Sequence, residues 1–358
     1  MPTHQFDYCS THFFALLHHR STSNQYSCIL HFFWLFEGLR YPGTFIPSLQ
    51  TSWPYNIYNW IINYLSERIH RTLLNGVLSS PQTINASIVQ WSVLGPIFNI
   101  NSSELKPLSD KNYYFKYADD GYLIVPASNC LTIPLELQHH ASWAASCNLK
   151  LNPTKTSEIV FSSNRAKEPA PNSGVRRVKE IKILGVIFDN RLTFSNHVQA
   201  TISSCNQSLF ALRTLKQHGL SEQCLRTVFK STVISKLLYA SPAYWGFLTA
   251  HNKNLIDSFL RRAIRFGYYS TADPDLVSLI EKSENNLFNS IFENPNHVLH
   301  SLLPDKKQTS YNLHSHGHNL TLPHKDDRNF INRMLYCDIY WISAHCGLFC
   351  NVLMITVY

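Results

Sequence analysis

The sequence predicts an α+β protein: a segment built on an antiparallel sheet, followed by a small helical bundle. Three observations predict it. Apolar runs rich in aromatic and β-branched residues flank the tripeptide Asp119-Asp120-Gly121, which reads as a β-hairpin with carboxylates at its tip. Near Ser195 the hydrophobic pattern changes from alternating and continuous runs to stripes at helical spacing. The chain has 358 residues, 44% of them hydrophobic, enough for two or three domains with a substantial core.

Composition narrows the class. A net charge of +8 permits a polyanionic partner without requiring one. Nine cysteines at irregular spacing form no Cys-x-x-Cys pair, so the expected compartment is reducing. Cys337, His345, Cys346 and Cys350 match no common zinc spacing and read as scattered thiols. No secretory leader is evident, and Ile29 to Phe36 is apolar but too short to span a bilayer. The apolar tail from Trp341 to Tyr358 reads as a partly buried tail, with a tail anchor as the alternative. The expected location is intracellular, in nucleus or cytoplasm, with no obligate membrane partner.

Taken in order, residues 1–54 are rich in His, Phe, Ser and Cys and show no sustained period, so no domain is assigned there. Ile57, Trp60, Ile61 and Tyr64 lie at helical spacing, with Asn56 as the cap. Thr72 to Ser79 and Ile84 to Val89 read as strands joined at Pro81. After the Asp-Asp hairpin, Leu137, Ala141 and Ala144 mark a helix on the sheet. Lys150 to Phe161 runs into a strand past an Asn152-Pro153 turn, and Ile181 to Phe188 reads as one apolar strand. The first α+β domain is therefore 55–190.

Three helical stripes follow over 195–268. They are Val198, Ile202, Cys205, Leu209, Leu212; then Leu225, Val228, Phe229, Val233, Leu237; then Leu255, Phe259, Arg262, Phe266. Gly219 and Pro242 punctuate them. From Ser195 to Tyr268 there are nine Lys and Arg against two Asp and Glu. Arg261, Arg262 and Arg265 cluster on the last helix and suit phosphate contacts, while a solvated helix face is their bland reading. Residues 269–358 form a C-terminal extension, with one or two helices over Asn286 to Leu303. The alternating His314, His316 and His318 read as an exposed loop, or as metal ligands.

Adjacent carboxylates at a tight turn resist burial unless paired. They suit the holding of divalent cations where a phosphate is attacked; a solvated Asp-Gly turn is the plain alternative. The flanking blocks decide between them. Ser87 to Pro96 (Ser-Ile-Val-Gln-Trp-Ser-Val-Leu-Gly-Pro), the Tyr-Ala-Asp-Asp of Tyr117 to Asp120, Asn148 to Phe161 with Lys150, Asn152, Pro153, Lys155 and Thr156, and Ile183 to Val186 come in this order. Together they resemble the reverse transcriptase of non-LTR retrotransposons, from about Tyr55 to about Tyr340.

The resemblance implies a reverse-transcriptase-like palm over 55–190 and a helical thumb over 195–268. It implies an RNA-directed DNA polymerase acting with Mg²⁺ on an RNA template, a DNA primer and nucleoside triphosphates. Asp119 and Asp120 would be metal ligands, and Lys155 the acid that protonates the leaving pyrophosphate. Gln90 and Tyr117 would contact template or nucleotide, and Arg261, Arg262 and Arg265 the nucleic-acid backbone.

Two departures stand against that activity. The family carries another metal-binding Asp upstream, in a block like Phe-Ser-Lys-Ala-Phe-Asp. Between Asp7 and Asp110 this chain has no aspartate, and Glu37 is the acid that falls at the place of that block. Leu35 to Tyr41 can be encoded CTT TTC GAA GGC CTT CGA TAC; one base out of frame, with the C that begins Pro42, this reads Phe-Ser-Lys-Ala-Phe-Asp-Thr. A frameshift therefore accounts for the missing block. The second departure is Trp91, where the family has a glycine that admits the nucleotide. The expectation is a chain inactive as a polymerase, with a non-catalytic nucleic-acid-binding remnant or a pseudogene product as alternatives.

Overall fold

The computed structural model describes residues 27–35, 54–84, 105–117, 120–146, 150–152, 154–161, 168–307 and 318–337. They form a mixed α/β structure in two compact units, one within Ser23–Lys179 and one within Glu180–Tyr358.

In chain order the first unit holds β1 (Ser27–Leu35), α1 (Tyr55–Leu65), β2 (Arg68–His70), β3 (Leu73–Leu74), β4 (Val77–Leu78) and β5 (Gln82–Ile84). Then come β6 (Tyr113–Tyr117), β7 (Asp120–Pro126), α2 (Ile133–Ser146), β8 (Lys150–Leu151), β9 (Ser157–Phe161) and β10 (Arg176–Arg177). The main sheet has six strands, ordered β10-β9-β1-β7-β6, with β8 also on β1. Every pairing in it is antiparallel except β10 with β9.

The middle of that sheet is β1, so residues 1–54, assigned no domain from the sequence, supply its central strand. The reason they gave no signal is burial on both faces. Cys28, Ile29 and Leu30 are all buried, and a strand covered on both sides reads as a plain apolar run without alternation. Its partners on β7 and β9 are equally covered, with Tyr122 to Val125 and Ile159 to Phe161 buried. Helix α2 packs Ile133 and Ala144 against the face that carries Cys28, Leu30, Leu123, Val125 and Val160.

Local expectations fare unevenly. The Thr72–Ser79 strand is instead a tight hairpin, β3 against β4, nested in a second pairing of β2 with β5. Asn75 and Gly76 both have positive φ there, the geometry that an Asn-Gly dipeptide favours. Helix α1 is preceded by Pro54 and not capped by Asn56, which lies inside it. In α2 the buried positions are Ile133, Glu136, His140 and Ala144, while Ala141 is exposed. Polar Glu136 and His140 broke the apolar stripe that would have marked this face.

The second unit opens with β11 (Glu180–Ile183) and β12 (Val186–Asp189), an antiparallel hairpin. The single strand expected over Ile181 to Phe188 is thus two, turned at Leu184-Gly185 where both residues have positive φ. Helices α3 (Ser195–Gln217), α4 (Glu222–Phe229), α5 (Ser235–Leu238), α6 (Ser241–Tyr244), α7 (Ala250–Arg265) and α8 (Leu276–Glu293) follow, with a further helical segment over 330–337. A π-helical turn, Lys230–Ile234, joins α4 to α5, so the second stripe lies along one continuous rod.

Four of the five positions predicted on α3 are buried: Val198, Cys205, Leu209 and Leu212. On α7 the buried face is Asn252, Ile256, Phe259, Leu260 and Ala263, and Phe266, placed in the expected stripe, is exposed. The helix expected at Asn286 starts ten residues earlier, where Asp275 accepts a hydrogen bond from the Ser278 amide at 2.8 Å. Among the described residues no helix is long and apolar enough to cross a membrane, and no disulfide is formed. The tail from Trp341, and His314 and His316, lie outside the described residues.

Candidate functional site

The hairpin that carries the acids is formed by β6 and β7, with Tyr117 opposite Asp120 and Lys116 opposite Gly121. Asp120, expected in the turn, is therefore the first residue of a strand. Ala118 and Asp119 lie outside the described residues, as do Gln90 and Trp91.

β1 runs antiparallel beside β7, with His31 opposite Tyr122 and Phe33 opposite Asp120. Alternation puts these four positions on one face, opposite the face covered by α2. The His31 ring stacks on Tyr122 at 4.8 Å between centroids, 10° from parallel. That cross-strand contact aims the imidazole at the neighbouring acid. His31 Nε2 lies 3.1 Å from Asp120 Oδ1, and the Tyr122 hydroxyl donates to Asp120 Oδ2 at 3.3 Å. Both carboxylate oxygens of Asp120 thus have protein partners. Sequence reading missed His31 because nothing local links it to an acid 89 positions away.

Lys155 is exposed in a loop between β8 and β9. Both strands pair with β1: Trp34 faces Leu151, and His31 faces Ser157. Two residues of β1 thus span what five residues, 152–156, loop out to cover. The loop is held by the Asn152 side chain, which accepts from the amides of Thr154 at 3.0 Å and Lys155 at 3.3 Å. Lys155 therefore sits at the end of the sheet that carries Asp120, on the far side of β1. Tyr117 closes β6 at the same end.

On the hidden face, Lys116 is driven down to about 8, first by burial and then by Lys106, and its ammonium lies 5.2 Å from the Tyr114 ring centre. His140 is driven to about 4 by burial, and its ring meets that of Tyr114 edge-on at 4.8 Å. These groups belong to the packing of α2 on the sheet.

Magnesium demands near-octahedral oxygen coordination, and a two-ion site needs carboxylates from two elements. Among the described residues the hairpin end offers Asp120 alone, and the nearest donor from β1 is a nitrogen. No cluster of three His, Cys, Asp or Glu is placed to hold a metal among those residues. The described residues do not fit a magnesium pair.

In the second unit, Arg261, Arg262 and Arg265 lie on α7. Arg262 reaches across to α3, donating to Asn206 Oδ1 at 2.5 Å, and Arg261 donates to Ser258 Oγ at 3.2 Å. Arg261 and Arg265 are exposed.

No protein-family model matches the chain. Curated proteins do resemble it. The probable RNA-directed DNA polymerase from transposon BS of Drosophila melanogaster is 28% identical over 239 residues, 62% of this chain and 26% of that protein. The RNA-directed DNA polymerase from mobile element jockey of the same species is 24% identical over 247 residues, 64% of this chain and 27% of that protein. The probable RNA-directed DNA polymerase from transposon X-element, also from that fly, is 26% identical over 171 residues, 42% and 18% of the two chains. The chain spans about a quarter of the length of the first two. The resemblance read from its motifs is thereby borne out: the chain is a relative of RNA-directed DNA polymerases of Drosophila mobile elements.

Proposed function

We propose that this chain is the palm-and-thumb part of a mobile-element RNA-directed DNA polymerase that binds RNA template and DNA primer but does not extend the primer as written. The observation that carries this reading is the make-up of β1. It is the strand beside Asp120, and it supplies His31 and Phe33 there in place of a carboxylate. Positions 35–41, where a one-base shift of frame reads Phe-Ser-Lys-Ala-Phe-Asp-Thr, begin at the last residue of that strand. A frame restored there would bring an aspartate into the chain just after β1, which runs alongside Asp120.

On this reading the palm is the six-stranded sheet with α2, and it takes in β1 as well as the 55–190 stretch. The thumb is the set of helices over 195–268. Mg²⁺ is the cation of the ancestral site, and nucleoside triphosphates its substrates. Asp119 and Asp120 keep the ligand positions of one hairpin, and Lys155 keeps the place of the acid. Gln90 and Tyr117 keep the template and nucleotide side, where Trp91 stands in place of the family's glycine. The missing carboxylate removes one arm of the charge clamp on the transition state, worth several kcal/mol and orders of magnitude in rate.

Primer extension on a primed RNA template with Mg²⁺ tests this. The chain as written is expected to extend no primer. Restoring the shifted frame over 35–46 together with Trp91→Gly is expected to recover extension, and adding Asp119→Ala to abolish it again. Extension by the unrepaired chain that survives Asp119→Ala would overturn both the site and the decay argument.

A further inference from the structure

Helices α3 and α7 run parallel with a fixed register. Asn252 Nδ2 donates to Ser195 Oγ at 3.2 Å, a separation of 57 positions, and Arg262 donates to Asn206, a separation of 56. One helical turn further along each helix stand Phe210 and Phe266, at the same separation as Arg262 and Asn206. Both are unusual for large apolar side chains, being 73% and 54% exposed. Phe266 is still in the helical backbone region, with φ −83° and ψ −3°, so the register carries through to it. Its ring is held on one edge by Tyr268, at 6.2 Å between centroids, and Tyr268 is buried against Phe229.

Cations surround this pair. Arg213 is exposed one turn beyond Phe210 on α3. Arg226 of α4 donates to the Gly267 carbonyl at 3.3 Å, which sets it beside Phe266. Arg262 and Arg265 precede Phe266 on its own helix. The acids on the three helices are Glu222 and Asp257. Glu222 sits 3.9 Å from Lys216, and Asp257 is one turn before Arg261, away from the Phe266 end. Two exposed rings among four guanidinium groups match a single strand of nucleic acid, whose bases stack and whose phosphates need cations. A duplex hides its base faces and would use the cations alone.

We infer that Phe210 and Phe266, with Arg213, Arg226, Arg262 and Arg265, form a binding platform for single-stranded nucleic acid on the helical unit. The inference rests on the proposed nucleic-acid role of that unit and deepens it: it commits the surface to unpaired bases. Nothing in it depends on the Asp120 hairpin or on polymerase activity.

The test measures anisotropy of labelled oligothymidylate and of a labelled duplex of matched charge, with the full chain and its variants, across a salt series. Phe210→Ala and Phe266→Ala are each expected to weaken oligothymidylate binding about tenfold and to leave duplex binding and the salt slope unchanged. Phe210→Tyr is expected to bind like the unaltered chain, because it keeps a ring. Arg265→Glu is expected to weaken both ligands and flatten the slope. Unchanged oligothymidylate binding in both alanine variants overturns the platform while the phosphate reading stands. Equal loss for strand and duplex overturns it too. No binding of either ligand by the unaltered chain sinks both readings. Sedimentation run alongside excludes the other occupant: a dimer abolished by Phe210→Ala, with oligothymidylate binding intact, would make the patch a self-association surface and overturn the inference.

Discussion

Glu158 is the second residue of β9 and has no solvent exposure, a charge within an apolar sheet. It survives there because its oxygens are met on every side. Arg177 Nε donates to it at 2.9 Å, the Asn172 amide at 3.2 Å and the Asn172 side chain at 2.5 Å. Arg177 also fixes the loop before it by donating to the Ala170 carbonyl at 3.0 Å. The cluster pins β10 to β9 in the one parallel pairing of the sheet. Removing one partner of a buried ion pair is far worse than removing both, since it strands a desolvated charge. Arg177→Met is therefore expected to destabilise the first unit by about 3–5 kcal/mol. Arg177→Met with Glu158→Gln is expected to recover much of that loss in urea unfolding. A single substitution costing under about 1 kcal/mol would show that Glu158 is satisfied without the arginine. Cys28, whose thiol is pushed to about 12 by burial and then by Glu158, stays protonated beside this cluster and is a packing residue.

Among elements, those that carried their own punctuation were legible. The β6–β7 hairpin was visible because two apolar runs flank a short polar turn, and α3 because its stripe repeats over the 23 residues of Ser195–Gln217. β1 was invisible for the opposite reason. It has no alternation, no turn residues that its partners supply, and its pairing lies with strands about a hundred positions on. The same distance hid His31 as a partner of Asp120. The β11–β12 turn was misread as unbroken strand because Leu184 is apolar, yet it takes φ 45° with Gly185 at φ 90°. Tyr239 explains why the turn tolerates a leucine: its hydroxyl donates to the Leu184 carbonyl at 2.7 Å. An added Cβ at Gly185 would meet the Tyr239 ring at 3.2 Å, in a backbone region that side chains resist. Gly185→Ala is expected to cost about 1–2 kcal/mol and Tyr239→Phe about 1 kcal/mol. The double substitution should cost less than their sum, because both act on one turn. Strict additivity in denaturant midpoints would mean that the ring does not hold the turn.

At the scale of the whole molecule, each unit carries, among the described residues, one deeply buried histidine held neutral, so both share a weakness to acid. His140 is driven to about 4 by burial; its Nδ1 donates to the Glu136 carbonyl at 2.7 Å, and Tyr114, His139 and Lys116 face it. His197 is likewise driven to about 4 by burial and by Lys182; its Nδ1 accepts from the Ile187 amide, and the Tyr244 ring meets it edge-on at 4.7 Å. A proton on His197 would cost that accepted hydrogen bond as well as desolvation. The unfolded chain takes up a proton near pH 6.5 and the folded chain only near 4, so between those values the unfolded state binds more protons. Stability is then complete above about pH 6.5, falls as pH drops toward 4, and levels off below. By pH 5 the loss is roughly 2 kcal/mol for each histidine, at 1.36 kcal/mol for each pH unit. In the second unit Glu284 works the other way, since burial raises its carboxyl and favours the folded state in acid. Urea unfolding at pH 7.5 and 5.0, followed by hydrogen exchange in each unit, reads this directly. His140→Gln is expected to flatten the profile of the first unit alone, and His197→Gln that of the second. Identical pH profiles with and without His140 would show that its burial is not what sets the acid limit of the sheet.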